Sequence, residues 1–418
     1  MKKLVIEGGQ RLTGEIKISG AKNSVVALIP AAILSDEEVT LYNVPNISDT
    51  TALIDIIKLL NGKVEYQDEV MKIDTRNIEN KVVPESLSKK LRASYYFMGA
   101  LLSKFKYAEI YFPGGCNIGS RPIDFHIKGF EQLGAKVTID GNKYIFEAEK
   151  LKGDRIYLDF ASVGATINIM LAAVKAEGTT YISNAAKEPE IVNIATLLNN
   201  MGAKITGAGT SEIKIEGVDH LGAGVIDVIP DRIEAGTYTI IGALLGENLR
   251  ISGIIEEHLD ALLSKLKEMA VDLQVVDNNI LINKPASFKP INVKTLVFPG
   301  FPTDLGQPMS VLLTQAEGTS VFEETIYENR MGHIPYLNKM GASMLVNDRT
   351  VIIKGRTPLV GQEVVATDLR AGAAMVIAGL IAEGTTRIKD IDHILRGYEN
   401  IVEKLSIAGA KIRIEETE

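Results

Sequence analysis

Apolar and polar positions along the chain follow one pattern that returns six times. A polar residue opens an apolar, alanine-rich segment with helical spacing, a short alternating segment follows, and a second helical segment ends at a small residue. These endings are Gly62, Gly134, Gly202, Ala270, Gly341 and Gly409, which are separated by 72, 68, 68, 71 and 68 residues. Alternation predicts half-buried strands, and glycine after a helix predicts a left-handed C-cap. Because the period is too long for a solenoid repeat, the pattern predicts six compact units of two helices and a few strands.

The six units divide most simply into two domains of three units each. A chain of 418 residues is too long for one ordinary core. Pro230 follows the third unit, so the first domain is expected to span residues 22–229 and the second residues 1–21 plus 230–418. Two strand-like segments at residues 4–6 and 15–18 lack a partner in the first unit, and we expect them to complete the last unit. The chain would then cross between the domains twice.

Composition narrows the class of protein. An apolar content of 46% and a charged content of 23% are typical of a soluble globular protein. The single cysteine excludes an internal disulfide framework and fits a reducing, cytoplasmic location. No apolar run reaches the ~20 residues of a membrane helix, and a net charge of −8 argues against a nucleic-acid partner. The histidines show no metal spacing and there is no phosphate-binding glycine loop with its lysine, so no cluster of residues argues for a metal or an organic cofactor.

Cations lie where most of the helices are expected to begin. The first helices of the units are predicted near Lys22-Asn23, Arg92, Ser162-Val163-Gly164, Arg232, Asp304 and Arg370, and the second helices near Asp49, Arg121-Pro122, Pro189, Glu256, Arg330 and Arg396. A cation there has the wrong sign for the helix dipole, and a single one would be a solvated side chain. Seven at equivalent points predict that guanidinium groups and helix N-termini converge on a small polyanion in one interdomain cleft.

Two further residues are candidates for proton transfer. Cys116 lies in a glycine-rich stretch with Arg121 nearby, which favours a reactive thiolate, although a lone cysteine is more often a small buried hydrophobe. Asp304 follows a stretch rich in proline at residues 298–303 and is either a helix N-cap or a general base. Asp368 and Glu188 are weaker candidates for the same role.

Nine short motifs carry a resemblance to a known family. They are S-G-A-K-N-S at 19–24, L-R-A-S at 91–94, G-G-C-N-I-G-S-R-P-I-D at 114–124, S-V-G-A-T at 162–166, P-D-R-I-E-A-G-T at 230–237, G-F-P-T-D at 300–304, E-N-R at 328–330, D-L-R-A-G at 368–372 and R-G-Y-E at 396–399. With these motifs the chain resembles the bacterial UDP-N-acetylglucosamine 1-carboxyvinyltransferases, which are enolpyruvyl transferases. The resemblance implies a two-domain inside-out α/β barrel, in which each domain holds three βαβαββ-type units around buried helices and the substrates lie between the domains.

The resemblance also implies a reaction that uses no metal and no organic cofactor, and a set of residue roles. Enolpyruvyl would pass from phosphoenolpyruvate to the 3′-hydroxyl of UDP-N-acetylglucosamine by addition and elimination through a tetrahedral intermediate, the first committed step of peptidoglycan synthesis. Cys116 would be the general acid and the target of fosfomycin, and Asp304 the base. Phosphoenolpyruvate would contact Lys22, Asn23, Cys116, Arg121, Arg330, Arg370 and Arg396, with Lys22 and Arg396 also catalytic. UDP-N-acetylglucosamine would contact Asn23, Arg92, Arg121, Pro122, Ile123, Asp124, Phe125, Ser162, Val163, Gly164, Asp304 and Ile326.

Three other functions stay open at this point. The sister enolpyruvyl transferase that acts on shikimate 3-phosphate shares the architecture but has no cysteine-bearing loop of this kind. A ring-shaped DNA clamp is also built from repeated helix–strand units, and the negative charge disfavours it. An inactive second copy of the enzyme would carry the same motifs. A monomer is favoured, and the oligomeric state is not determined by the sequence.

Overall fold

The structure is a computed structural model that describes residues 2–90, 92–112 and 123–416, and the side chains of Lys90, Arg92 and Ala93 lie outside that description. Within the described residues the chain forms two compact units. Unit I comprises residues 20–112 and 123–229, and unit II comprises residues 2–19 and 230–416. Each unit has its own continuous hydrophobic core.

The helices and strands alternate along the chain in the predicted order. The helices are α1 (Lys22–Ala31), α2 (Ser48–Leu59), α3 (Glu85–Lys90), α4 (Tyr96–Phe105), α5 (Asp124–Gln132), α6 (Val163–Ala173), α7 (Pro189–Asn200), α8 (Arg232–Leu245), α9 (Asp260–Glu268), α10 (Gly306–Leu313), α11 (Ile334–Lys339), α12 (Leu369–Ile381), α13 (Asp392–Leu395) and α14 (Ile401–Ile407). The strands are β1 (Lys2–Glu7), β2 (Glu15–Lys17), β3 (Glu38–Tyr42), β4 (Lys63–Gln67), β5 (Val70–Asp74), β6 (Tyr107–Tyr111), β7 (Lys136–Asp140), β8 (Lys143–Glu147), β9 (Arg155–Tyr157), β10 (Thr179–Ser183), β11 (Lys204–Thr206), β12 (Glu212–Glu216), β13 (Gly224–Asp227), β14 (Leu249–Ser252), β15 (Asp272–Val276), β16 (Asn279–Asn283), β17 (Asn292–Lys294), β18 (Thr319–Glu323), β19 (Ser343–Asn347), β20 (Thr350–Lys354), β21 (Glu363–Val365), β22 (Thr385–Lys389) and β23 (Lys411–Glu416).

Unit I contains three sheets, one for each of its repeats. Their strand orders are β13-β3-β5-β4, β6-β8-β7 and β11-β12-β10-β9. The other two sheets each have a parallel edge strand, β13 or β9. In the three-stranded sheet a single parallel bridge between Val83 and Ile110 takes the place of that strand. Strand β13 runs parallel to β3, so the end of the third repeat completes the sheet of the first repeat and closes the unit on itself.

Unit II contains three four-stranded sheets, with the orders β15-β16-β14-β2, β17-β18-β20-β19 and β21-β22-β1-β23. As predicted, β1 completes the last repeat, because it pairs antiparallel with both β22 and β23. The same prediction was wrong for β2, which pairs in parallel with β14 in the fourth repeat. Strand β2 supplies the short parallel edge that β17 and β21 supply in the other two repeats.

The first helix of each repeat is buried in the centre of its unit. Helices α6 and α12 carry apolar residues on every face, and their residues 165–173 and 370–380 are buried throughout. A helix of this kind requires protein on every face. The second helices are amphipathic, as in α9, which buries Leu262, Leu263 and Leu266 and exposes its charged face. Sheets and amphipathic helices therefore surround buried helices, and this confirms the expected inside-out α/β fold.

The ends of the second helices show where the glycine pattern holds. Gly134, Gly202, Gly341 and Gly409 all have left-handed backbone, with φ between 96° and 110°. Ala270 adopts the same conformation at φ 66°. In the first repeat Asn61 (φ 69°), and not Gly62, holds this position, so the alignment there was wrong by one residue. Asparagine enters this region more readily than most residues because its short polar side chain can bond locally.

The predicted helix starts are confirmed for Lys22, Pro189 and Arg232, which are first residues of α1, α7 and α8. Three positions were displaced. Arg330 precedes α11 by four residues, Glu256 begins a short 3-10 turn four residues before α9, and Arg396 is the C-cap of α13. A cation at a helix C-terminus has the favourable sign for the dipole, so the electrostatic argument from helix starts does not apply to Arg396. Among the described residues, no helix is long and apolar enough to cross a bilayer.

Candidate active site

A carboxylate held by two arginines lies in unit II. Arg330 Nη2 donates to Asp304 Oδ1 at 2.7 Å, and Arg370 Nη2 donates to Asp304 Oδ2 at 3.2 Å. The side chains of Arg330 and Arg370 are 5% and 3% exposed, whereas that of Asp304 is 25% exposed. The guanidinium groups therefore lie behind a carboxylate that solvent can reach. Within the described part of the chain, Arg330 Nε and Arg370 Nη1 are buried without a hydrogen-bond partner, so the cluster has spare donors for an anion.

Asp304 does not cap a helix. It lies in a short 3-10 turn, Thr303–Leu305, and neither this turn nor α10 receives a cap hydrogen bond from a side chain. Asp368, one of the weaker base candidates, is by contrast an ordinary N-cap, because it accepts from the backbone of Arg370 and Ala371 at 2.8 and 2.9 Å. The capping role expected of a helix-start aspartate is thus filled by Asp368, whereas the Asp304 carboxylate accepts from Arg330 and Arg370.

A buried glutamate, Glu324, holds the loop beside Asp304 in place through hydrogen bonds. Glu324 is 1% exposed and accepts hydrogen bonds from Thr295 Oγ1 at 3.0 Å and from Thr303 Oγ1 at 2.8 Å. It also accepts from the backbone N–H groups of Ile326 and Tyr327 at 2.8 and 3.2 Å. Thr303 Oγ1 in turn accepts from Arg330 Nη1 at 2.7 Å. The Glu324 carboxylate therefore holds both the loop that carries Asp304 and the loop that leads to Arg330, and no sequence pattern pointed to it.

Arg370, at the N-terminus of α12, lies close to two carboxylates and a tyrosine. Burial lowers the pKa of Arg370, but Tyr398, Asp304 and Asp231 outweigh it, and the pKa lies above its usual value. The guanidinium carbon lies 5.4 Å from the centre of the Tyr398 ring, and the Tyr398 hydroxyl lies 2.9 Å from Thr237 Oγ1 on α8. Arg370, in the first turn of α12, therefore stays protonated while it packs against Tyr398.

Ile326 and Arg396, also predicted to contact the substrates, lie in segments next to residues of the Asp304 cluster. Ile326 is half-buried on the loop that Glu324 holds through its backbone. Arg396 is half-buried at the end of α13, two residues before Tyr398. His333, treated as structural from the sequence, is buried with Nε2 at 2.8 Å from Ser310 Oγ. Burial lowers the pKa of His333 to about 4, so the imidazole is neutral near pH 7.

Unit I carries a second charged group at the start of α1. Lys22 Nζ lies 3.2 Å from Asp49 Oδ2, in the first turn of α2, and the two side chains are 15% and 4% exposed. The N-cap residue of α1 is Ala21 and that of α2 is Ile47, and neither provides a side-chain cap hydrogen bond. The N-termini of the two helices therefore keep backbone donors beside a lysine, with Asn23 half-buried next to it.

The start of α6 brings together several residues predicted to bind the nucleotide sugar. Ser162 caps the helix by accepting from Ala165 N at 3.2 Å. A Cβ added to Gly164 would lie 2.9 Å from Tyr95 Oη and 3.0 Å from His126 Nε2, so the helix start packs closely against α5 and the segment before α4. This accounts for a glycine at residue 164 beside Val163, which is half-buried.

The residues at the start of α5, which were predicted to bind the nucleotide sugar, differ in their exposure. Ile123 is buried, Asp124 is the exposed first residue of α5, and Phe125 packs against the core. Glu188, the remaining candidate base, is buried just before α7. Cys116, Arg121 and Pro122 lie outside the described residues, as does the side chain of Arg92, so their predicted roles stay predictions.

Comparisons with known proteins place this geometry in a family. A family profile described as EPSP synthase (3-phosphoshikimate 1-carboxyvinyltransferase) matches residues 6–405. The chain is 53% identical over 410 residues to UDP-N-acetylglucosamine 1-carboxyvinyltransferase 2 of Listeria monocytogenes, which covers 98% of this chain and 97% of the relative. It is 54% identical over 413 residues to the protein of the same name from Bacillus anthracis, covering 99% and 96%.

Solved structures agree with the fold. The enolpyruvyl transferase NikO from Streptomyces tendae superposes with a TM-score of 0.91 at 26% identity, covering 100% of this chain and 99% of that one. An EPSP synthase from Acinetobacter baumannii superposes with a TM-score of 0.76 at 19% identity over the full length of both chains. At that identity the likeness shows the shared fold alone.

Proposed function

The chain belongs to the EPSP synthase family of 1-carboxyvinyl (enolpyruvyl) transferases, and from that premise we propose that it transfers enolpyruvyl from phosphoenolpyruvate to the 3′-hydroxyl of UDP-N-acetylglucosamine, with release of phosphate. This is the first committed step of peptidoglycan synthesis. The relatives support this choice of acceptor, because they are named for UDP-N-acetylglucosamine and share more than half of their residues with this chain over nearly its full length.

The reaction needs an acid and a base on two different atoms. Protonation of the methylene carbon gives C2 of phosphoenolpyruvate cationic character, the acceptor hydroxyl loses its proton as it attacks C2, and the tetrahedral intermediate then expels phosphate as the methyl group gives a proton back. We assign the first proton to Cys116 and the removal of the hydroxyl proton to Asp304. The exposure of Asp304 at the mouth of its cluster supports the second assignment.

The two buried guanidinium groups fit the carboxylate of phosphoenolpyruvate. Each uses one nitrogen on Asp304 and keeps a buried donor without a partner in the described residues. An incoming carboxylate would satisfy Arg330 Nε and Arg370 Nη1, which are costly to leave unpaired. The substrate would thus be held beside Asp304 by the same side chains that orient this base.

The phosphate is assigned to the other cations. Lys22, Arg121 and Arg396 would hold it and stabilise the charge that develops as it leaves, with Asn23 beside Lys22. The nucleotide sugar is assigned to Arg92, Arg121 to Phe125, Ser162 to Gly164, Asp304 and Ile326. The close packing at Gly164 supports a preformed surface at the start of α6.

The activity test compares acceptors. Phosphate release from phosphoenolpyruvate should occur with UDP-N-acetylglucosamine and not with shikimate 3-phosphate. Asp304→Asn and Cys116→Ser should lower kcat by about 100-fold or more, while Asp348→Asn in the exposed β19–β20 turn should keep it. No release with the sugar nucleotide, or faster release with shikimate 3-phosphate, would refute the assignment, and the first result is also what an inactive copy would give.

Fosfomycin tests Cys116 directly. The thiolate would open the epoxide, forming a carbon–sulfur bond while the carbon–oxygen bond breaks and the alkoxide takes a proton. Intact-mass measurement after incubation with fosfomycin and UDP-N-acetylglucosamine should show one adduct, which Cys116→Ser should abolish. An unmodified wild-type mass would count against a reactive thiol.

We also propose that residues 22–229 and residues 1–21 plus 230–418 are two domains, in a monomeric and cytoplasmic protein. Separate cores support the domains, and the two crossings are marked by the pairs Ala21 N to Ile229 O and Asp231 N to Ser19 O. The location fits phosphorylated substrates that a bilayer excludes. A folded 22–229 fragment and a monomer mass in sedimentation are the expected results.

A further inference from the structure

A cavity of about 600 Å³ lies at the carboxyl ends of the three buried helices of unit II. Leu245 ends α8, Gln315 follows α10 and Ile381 ends α12, and all three line the same space. Phe288 and Leu359 add to its apolar wall. The volume falls in the range of small-molecule sites. The Asp304 cluster lies at the opposite ends of these helices, about 20 Å away along the 13-residue α12.

Three cations line this cavity, each from a different segment. Arg11 precedes the bridge of Leu12 to Gly246, Lys284 follows β16 and Arg356 follows β20. Among the described residues, none of the three forms an ion pair with a carboxylate. Both arginines lie close enough to Lys284 to act on it: burial first, and then the charges of Arg11 and Arg356, lower the pKa of Lys284.

Helix dipoles alone do not account for these cations. The corresponding ends in unit I also carry lysines, but there Lys104 Nζ donates to the carbonyls of Ile33 and Ser35 at 2.8 and 2.9 Å. Lys175 lies 3.6 Å from Asp36. In unit I the cations are thus bonded to the chain itself, whereas in unit II they surround open space.

We propose that this cavity binds a small organic anion with two or more carboxylate or phosphate groups on a compact carbon frame. The apolar wall would contact the frame, and Arg11, Lys284 and Arg356 would pair with the anionic groups. Glu317 and Glu383 also line the cavity. They reduce its net positive charge, so they weaken binding and restrict the site to compact anions.

Benzene-1,3,5-tricarboxylate is a suitable probe, because it places three carboxylates around a small apolar ring. Calorimetric titration of the full chain should show one site whose affinity falls as salt rises, and benzoate should bind at least about tenfold more weakly, since it can pair with only one cation. Lys284→Gln combined with Arg356→Gln should weaken the probe by about tenfold or more, while Lys284→Arg keeps binding. The matched control is Lys354→Gln, an exposed lysine two residues from Arg356 and outside the lining.

Further outcomes separate this site from the active site. Lys22→Gln, in the proposed active site, should leave probe binding unchanged, and Glu317→Gln with Glu383→Gln should strengthen it several-fold. Thermal unfolding of each variant confirms that it is folded. The proposal is overturned if the probe does not bind, if Lys22→Gln or Lys354→Gln weakens it as much as the double variant, or if neutralising the glutamates weakens it.

Discussion

Replacement of Glu324 by glutamine tests whether a buried carboxylate positions the catalytic groups of unit II. Glu324 accepts four hydrogen bonds, two from threonine hydroxyls and two from backbone N–H groups. Glutamine has the same shape, but its NH₂ group cannot accept. If its oxygen stays at the Oε1 position, three bonds lose their charged acceptor, and the fourth, to Thr303, must reverse.

The size of the effect follows from these bonds. A hydrogen bond to a charged group contributes about 1.5–3 kcal/mol and a neutral one about 1 kcal/mol. Loss of charge at four bonds, offset by the lower cost of burying a neutral amide, gives a decrease of about 2–4 kcal/mol in the free energy of unfolding. Since Thr303 also accepts from Arg330 at 2.7 Å, we expect Arg330 and Asp304 to shift, and a shift near 1 Å lowers kcat by about 100-fold.

The assay is chemical denaturation together with kcat and the KM for phosphoenolpyruvate. Glu323→Gln is the matched control, because Glu323 is the preceding residue and forms a surface ion pair with Lys294 at 3.1 Å; its stability should change by less than about 0.5 kcal/mol. Thr303→Ser should keep kcat and Thr303→Val should lower it, which a purely structural role of Glu324 would not require. Wild-type stability and kcat in Glu324→Gln would refute the reasoning.

Three further predictions follow from buried groups. Burial raises the pKa of Glu234 from 4.5 to about 7, although Lys404 lies 2.7 Å away; the folded protein therefore binds a proton between these pH values that the unfolded chain releases, and stability falls as pH rises through this window. Glu234→Gln should remove that fall. The difference in unfolding free energy between wild type and variant should then change by up to about 1.4 kcal/mol per pH unit. The prediction is contradicted if the unfolding free energies of variant and wild type depend on pH in parallel. His333 has the opposite sign, because its pKa is lowered from 6.5 to about 4, so stability is lost as pH falls from 6.5 to 4, and His333→Gln should be less sensitive to acid in the same denaturation series. Gly164→Ala places a methyl group against Tyr95 and His126 and should cost about 1–3 kcal/mol of stability and weaken UDP-N-acetylglucosamine in calorimetric titration, whereas Gly222→Ala, which meets only the end of a flexible glutamate side chain at 3.3 Å, should do neither.

The sequence alone determined the repeat, the fold class and much of the site. Helical and strand periodicity depend on neighbours a few residues away, so six units of two helices and a few strands could be predicted from apolar spacing, and the family resemblance added that helices are buried at the centre of each domain. The starts of α1, α8 and α12 were placed within one residue, and with them Lys22, Arg232 and Arg370. The position of Asp304 after the proline-rich stretch 298–303, at an expected helix start, made it a candidate base.

Only the tertiary structure decided how these residues are used. The strand pairing of β2 with β14 joins residues more than 230 positions apart, and no local pattern encodes such a partner. Arg330 and Arg396 were misplaced relative to their helices, yet Arg330 still contacts Asp304, because a side chain reaches its partner through the packing of loops and not through its place in a helix. Glu324 had no sequence signal, since its importance lies in four donors that folding brings around one carboxylate. The spacing of apolar residues predicts helices and strands because these depend on interactions between residues close together in sequence. Hydrogen-bond and ion-pair partners depend instead on which helices, strands and loops pack together in the folded protein.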